Sequence, residues 1–222
     1  QVEHPVTEMV TGLDLVRLQV EVAAGGRLPV TQQQVTRRGH AIEARVYAED
    51  AARNFLPQAG RATRVRWPRA PFVRVDAGVV AGDAVPVHYD PILCKVIAFG
   101  EDRPRALGRL ARALDESVVQ GVVSNLPFLR ALVRARPVER AECDTEWIER
   151  EFLSSFAGVV MAPVPELALA AAAVAESLGL TRDGVAPSPV TATGAGVGGA
   201  AEHDPFAAFG SWRQKGLDRH AQ

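Results

Sequence analysis

The run Ile92-Leu93-Cys94-Lys95-Val96-Ile97-Ala98-Phe99-Gly100 limits this chain more than any other stretch, being mostly apolar and followed at once by a helical pattern. A run of this kind suits a strand buried within a sheet. It is too short to span a membrane, and no apolar run of spanning length occurs in the sequence. The next segment, RPRALGRLARALDESVV, repeats Leu107, Leu110, Leu114 and Val118 at spacings of three to four. That period predicts an amphipathic helix with a basic solvent face. HAIEARVYAED alternates Ala41, Glu43, Arg45 and Tyr47 with Ile42, Ala44, Val46 and Ala48, the period of a strand. RATRVRWP and PFVRVDAGVV alternate similarly, and DAGVVAGDAV carries turn glycines. Asp14 is placed to cap a helix whose apolar positions are Leu15, Leu18 and Val22 and which stops at Gly25-Gly26. These elements predict an α+β fold, an antiparallel-rich sheet with flanking helices.

The pattern changes near residue 157. VPELALAAAAVAESLGL, residues 164–180, predicts one Ala-rich helix. Residues 181–204 are a Gly, Ala, Pro, Thr and Ser stretch with no apolar period, expected to be a flexible linker without regular structure. DPFAAFGSWRQKGLDRHAQ is too short to fold alone and reads as the start of a further domain. Of 222 residues, 47% are hydrophobic, enough for a real core. Lys plus Arg (25) balance Asp plus Glu (26), which argues against nucleic acid or an acidic membrane surface as partner. Cys94 and Cys143 cannot make a disulfide framework, and with no signal peptide the expected compartment is the cytoplasm.

Several features invite a chemical reading. GAGVGG has the dinucleotide-binding spacing at Gly194, Gly196 and Gly199, but no strand precedes it and no helix follows, so it reads as linker. His88 and Cys94 have no second pair at metal-ligand spacing and read as a turn histidine and a core cysteine, leaving no metal site. The arginines from Arg103 to Arg112 read as a solvated helix face. Arg45 sits mid-strand between Glu43 and Tyr47, where its planar fork could hold an anion or pair with Glu43; on the residues alone the ion pair is preferred. The opening QVEHPVTE sets two carboxylates, a His and an amide around a Pro.

QVEHPVTEMVTGLDLVRLQ, RGHAIEARVYAED, FLPQAGR, VHYDPILCKVIAFGEDR and GVVSNLPFLRAL stand in the order and spacing of biotin carboxylase, the ATP-grasp component of the biotin-dependent carboxylases. The chain resembles that enzyme over about residues 1 to 157, as its rear half. The resemblance implies that Glu3 is the general base for bicarbonate, and that Gln1 and the backbone N–H of Val2 help hold that anion. It implies that Arg45 faces biotin and stabilises negative charge on the ureido oxygen. Thr145, in DTEWIE, falls near the adenine-facing segment. His4 is expected to orient the turn, and Glu8 to be no more than a helix charge.

The implied cofactors are ATP, Mg2+ with ligands upstream of Gln1, and biotin on a carrier domain that this chain lacks, no lysine standing in a Met-Lys-Met context. Residues 1–157 would be the biotin carboxylase C-terminal region, 158–180 a helical connector, 181–204 a linker and 205–222 the start of a linking domain. Details of the opening and of VRVDAGVVAGDAVPVHYDP resemble the α subunits of acyl-CoA carboxylases of the propionyl and methylcrotonyl type. Departures at Cys94, Ser124 and Trp147 read as packing variation. The resemblance therefore implies a ligase whose partners are the biotin carboxyl carrier domain, a carboxyltransferase β subunit and a second copy of itself. The chain alone would be inactive. The alternative is a non-catalytic module that keeps only a dimerisation or partner-binding surface.

Overall fold

The first two helices are α1 (His4–Thr11) and α2 (Leu15–Ala23). The computed structural model describes residues 3–86, 88–160 and 165–178. The expected linker at 181–204, with its GAGVGG, and residues 205–222 lie outside them. Pro5 stands in the first turn of α1, where its missing N–H interrupts nothing. Gly12, at φ +75°, ends α1, and its N–H returns to the Glu8 carbonyl. Asp14 caps α2 as expected, its carboxylate accepting the Arg17 N–H at 2.9 Å.

The strands follow: β1 (His40–Tyr47), β2 (Glu49–Asp50), β3 (Leu56–Pro57), β4 (Gly60–Arg61), β5 (Arg64–Arg66), β6 (Val73–Ala77), β7 (Ala84–Val85) and β8 (Ile92–Gly100). After β8 come α3 (Arg103–Glu116), β9 (Val118–Gln120), α4 (Leu126–Leu132), α5 (Arg136–Arg140), a π-turn at Ile148–Phe152, α6 (Leu153–Val160) and α7 (Glu166–Ser177). The main sheet has the order β1-β8-β6, and every pairing among the described strands is antiparallel. Strand β8 is central, as its apolar run requires: Leu93, Cys94, Val96, Ile97 and Ala98 are all buried.

Register divides the sheet into two faces. Val46 opposite Cys94 and Ala44 opposite Val96 lie on the face that joins α3 in the core. Arg45 opposite Lys95 and Glu43 opposite Ile97 lie on the other, and α1 packs against β1 and β8. Helix α3 brings Leu107, Leu110 and Leu114 to the core, each contributing roughly 1.5–3 kcal/mol by leaving water. Its approach is close, since a Cβ on Gly100 would stand 2.3 Å from the Ala106 nitrogen. Phe128 gathers Phe55, Phe152 and Phe156 edge-on, with centroids 5.0 to 5.6 Å away.

The structure corrects three expectations. Val118 does not continue α3: the buried Ser117 hydroxyl turns back to the Ala113 carbonyl, Ser117 is extended, and Val118 opens β9, paired with β5. The arginines of α3 are not uniformly solvated. Arg105 and Arg112 are exposed, but Arg103 donates to the Val138 carbonyl and Arg109 to the Phe99 carbonyl. Glu8 is more than a helix charge, being a buried residue of α1. Helix α7 lies within the predicted 164–180 span and buries none of its residues.

Candidate functional site

Arg45 is placed by the period of β1, which turns Ala44 and Val46 into the core and Glu43, Arg45 and Tyr47 toward α1. Glu3 is the N-cap residue of α1, whose start lies above that face. The guanidinium of Arg45 joins both carboxylates: Nη2 donates to Glu3 Oε1, and Nε to Glu43 Oε1 at 3.4 Å. The ion pair with Glu43 read from the sequence is thus present, and a second carboxylate from 42 residues away is added to it. Glu3 is 51% exposed and Arg45 30%, so the pair is open to solvent. An ion pair this open contributes about 0–1 kcal/mol, and fold stability does not account for it. Beside it Glu3 and His4 line a cavity of about 430 Å³ with Thr7, Leu15, Val16 and Gln19.

Glu43 is the opposite case, its side chain only 5% exposed. Burial pushes its carboxyl up, and the charges of Lys95 and Arg45 offset only part of that rise. Its Oε2 is buried without a hydrogen-bond partner. Arg45 is held above its ordinary range, first by the Tyr47 phenol and then by Glu43 and Glu3, against the cost of burial. The fork is therefore a fixed positive charge over the whole physiological range.

The backbone beneath Arg45 is pinned by a residue to which the sequence reading gave no role. Register slips between Val46 and Tyr47, so the ladder to β8 is interrupted there. Asn125 fills the gap: its Oδ1 accepts the Tyr47 N–H at 2.9 Å and its Nδ2 donates to the Arg45 carbonyl at 3.2 Å. Its own N–H donates to the Tyr47 carbonyl at 3.1 Å. A buried amide that acts as a short length of neighbouring strand fixes the direction in which Arg45 leaves β1.

The other expected site residues fare differently. Gln1 and Val2 lie outside the described residues. Thr145 is exposed in a bend after α5, on a segment separate in sequence from both α1 and β1. His88 is exposed in a bend, and Cys94 is a buried core thiol pushed up by burial. Among the described residues no group of three His, Cys, Asp or Glu could hold a metal ion, and no helix is long and apolar enough to cross a membrane.

Comparison with known proteins bears on this geometry. The family model for the biotin carboxylase C-terminal domain matches residues 43–150, and that for the carbamoyl-phosphate synthase L chain ATP-binding domain matches residues 1–31. The chain is 40% identical over 177 residues to the mitochondrial propionyl-CoA carboxylase alpha chain of Caenorhabditis briggsae, covering 79% of this chain and 24% of that one. It is 45% identical over 151 residues to the mitochondrial methylcrotonoyl-CoA carboxylase subunit alpha of Oryza sativa subsp. japonica, covering 68% of this chain and 20% of that one. The chain thus spans about a quarter or less of these relatives. The fold resembles the biotin carboxylase domain dimer of Hydrogenobacter thermophilus 2-oxoglutarate carboxylase, solved with MgADP, ADP and bicarbonate. That likeness has a TM-score of 0.66 at 33% identity and covers 68% of this chain and 33% of that one.

Proposed function

Because residues 43–150 match a biotin carboxylase C-terminal domain and residues 1–31 an ATP-binding domain, we propose that this chain serves the ATP-dependent carboxylation of biotin in an acyl-CoA carboxylase. The observation that supports this reading is the meeting of Glu3 and Arg45, one from each matched segment. Bicarbonate must lose its proton before one of its oxygens attacks the γ-phosphate of ATP. Glu3 takes that proton: its carboxylate is open to the cavity on one side and oriented by Arg45 on the other. Gln1 and Val2 precede it and complete the hold on the anion.

Biotin, when bound, supplies the ureido nitrogen that accepts the carboxyl group. Arg45 is suited to face its ureido oxygen, because a permanently charged and half-exposed fork stabilises negative charge without reorganising. ATP, with its Mg2+, would meet this chain at the exposed Thr145. The partners on this reading are a biotinylated carrier domain and a carboxyltransferase subunit. A second copy is a further partner, in keeping with the dimeric state of the Hydrogenobacter thermophilus domain.

The test is Glu3→Gln in the complete carboxylase chain. An amide cannot accept the proton, so bicarbonate-dependent ATP cleavage should fall on the order of a hundredfold or more. An unchanged rate would demote Glu3 to a structural residue, and a parent chain without any such ATP cleavage would make a non-catalytic binding module the better reading.

A further inference from the structure

Five residues beyond the N-cap acid Glu3, about 7.5 Å along the axis, α1 carries an acid of its own. Glu8 has a side chain only 8% exposed, and both of its oxygens are engaged. Oε1 accepts the Leu15 N–H at 2.7 Å, at the start of α2, and Oε2 accepts Arg74 Nη1 at 2.6 Å, from β6. Arg74 is itself braced, with Nε and Nη2 each donating to Asp76 at 2.8 Å. Burial alone would raise the Glu8 carboxyl, yet Arg74 and the Leu15 N–H together hold it below its ordinary value.

Helix α1 is therefore fastened to the polar face of the sheet at two points of the same kind, an acid on the helix meeting an arginine on a strand. The two differ in what they can do. Glu3–Arg45 is open to water and screened by salt, so it cannot fix where the helix lies. In the second pair the carboxylate is buried and bonded at both oxygens, and Arg74, though 34% exposed, is held by a two-point contact with Asp76, which fixes the direction from which it meets Glu8. Pro5 is also fully buried, but an apolar contact tolerates sliding. Both pairs join the segment matched at 1–31 to the segment matched at 43–150.

We propose that Glu8 and Arg74 are positioning residues, which set α1 on the sheet so that Glu3 meets Arg45. The proposal rests on the reading of Glu3 as proton acceptor, and two measurements separate the fate of the two. On this chain, hydrogen exchange is followed in Glu8→Gln and in Arg74→Gln. The α1 amides should exchange at least tenfold faster while the amides of β8 keep their protection. Unchanged α1 protection overturns the proposal. Loss of protection throughout, β8 included, overturns it too, by making the pair a general stability element.

In the complete enzyme, Glu8→Gln should lower bicarbonate-dependent ATP cleavage ten- to a hundredfold, the scale of an ångström-sized misplacement. It should add no further loss to Glu3→Gln, because a residue that acts through Glu3 has nothing left to act on. Equal multiplicative losses in both backgrounds overturn the positioning role. An inert Glu3→Gln beside an intact exchange result would instead remove the proton-acceptor reading and leave the clamp standing.

Discussion

Asn125→Ala tests how Arg45 is aimed. The substitution deletes two side-chain hydrogen bonds and leaves the Tyr47 N–H and the Arg45 carbonyl without partners at the slip in β1, while the bond from the Asn125 backbone survives. A buried group left unpaired costs about 1–3 kcal/mol. Arg45 and Tyr47 are half-buried rather than sealed, so water satisfies part of the loss. The lower half of the doubled range applies, about 2–4 kcal/mol. For a domain of this size that lowers Tm by about 4–16 °C, readable by calorimetry on this chain. Asn125→Asp refines the test, because it keeps the acceptor for Tyr47 but turns an oxygen toward the Arg45 carbonyl. Its carboxyl should be held above its unfolded value, so its stability relative to the parent should be best in acid and lost as pH rises through the folded value. A loss in Asn125→Ala below about 0.5 kcal/mol would mean that the bulge satisfies itself and that the amide does not aim Arg45.

Two further outcomes are expected. Burial holds the Glu43 carboxyl above its ordinary value, so the parent chain loses stability as pH rises through that folded value. Glu43→Gln, which cannot ionise, should therefore gain on the parent between pH 4 and pH 8 in thermal denaturation; a difference flat with pH would show that Arg45 and Lys95 fully compensate the buried charge. In the complete enzyme, Arg45→Ala should cut biotin carboxylation more than biotin-independent ATP cleavage. Equal losses in both would mean that its main task is to hold Glu3.

The fold was legible where its information is local. The apolar run of β8, the period of α3 up to Leu114 and the Asp14 cap each need only a few neighbouring residues, and each is found as read. Val118 misled because it stands in phase with α3, while the turn of the chain is made by a single buried hydroxyl one residue earlier, at Ser117. The polar face of β1 was legible through its period of two, and with it the neighbour Glu43. Glu3 could not be reached that way, being 42 residues from Arg45 with no period to carry the pairing; the family resemblance put both residues in one site, and the geometry brings them into contact. Asn125 and Glu8 were missed for the same reason, with partners 78 and 66 residues distant. Glu8 did leave one signal. It stands three residues after Pro5, on the same side of α1, and an acid in line with the only other buried residue of a short helix needs a partner beneath it.

The stretch between α2 and β1 shows why such partners are needed. Residues 24–39 hold little regular structure beyond a short turn at Gln32–Gln34, and one backbone bond, from Arg38 N–H to the Val10 carbonyl, ties them to α1. A connection of this kind tethers the two matched segments without orienting them. Orientation falls to contacts across the sheet face, and Glu8 with Arg74 supplies it from the middle of α1. The buried Glu8 carboxylate, bonded at both oxygens, is screened less by added salt than the open Glu3. A site that had to release Arg45 from Glu3 to receive an anion could do so without α1 leaving the sheet, because what holds the helix is not what meets the ligand.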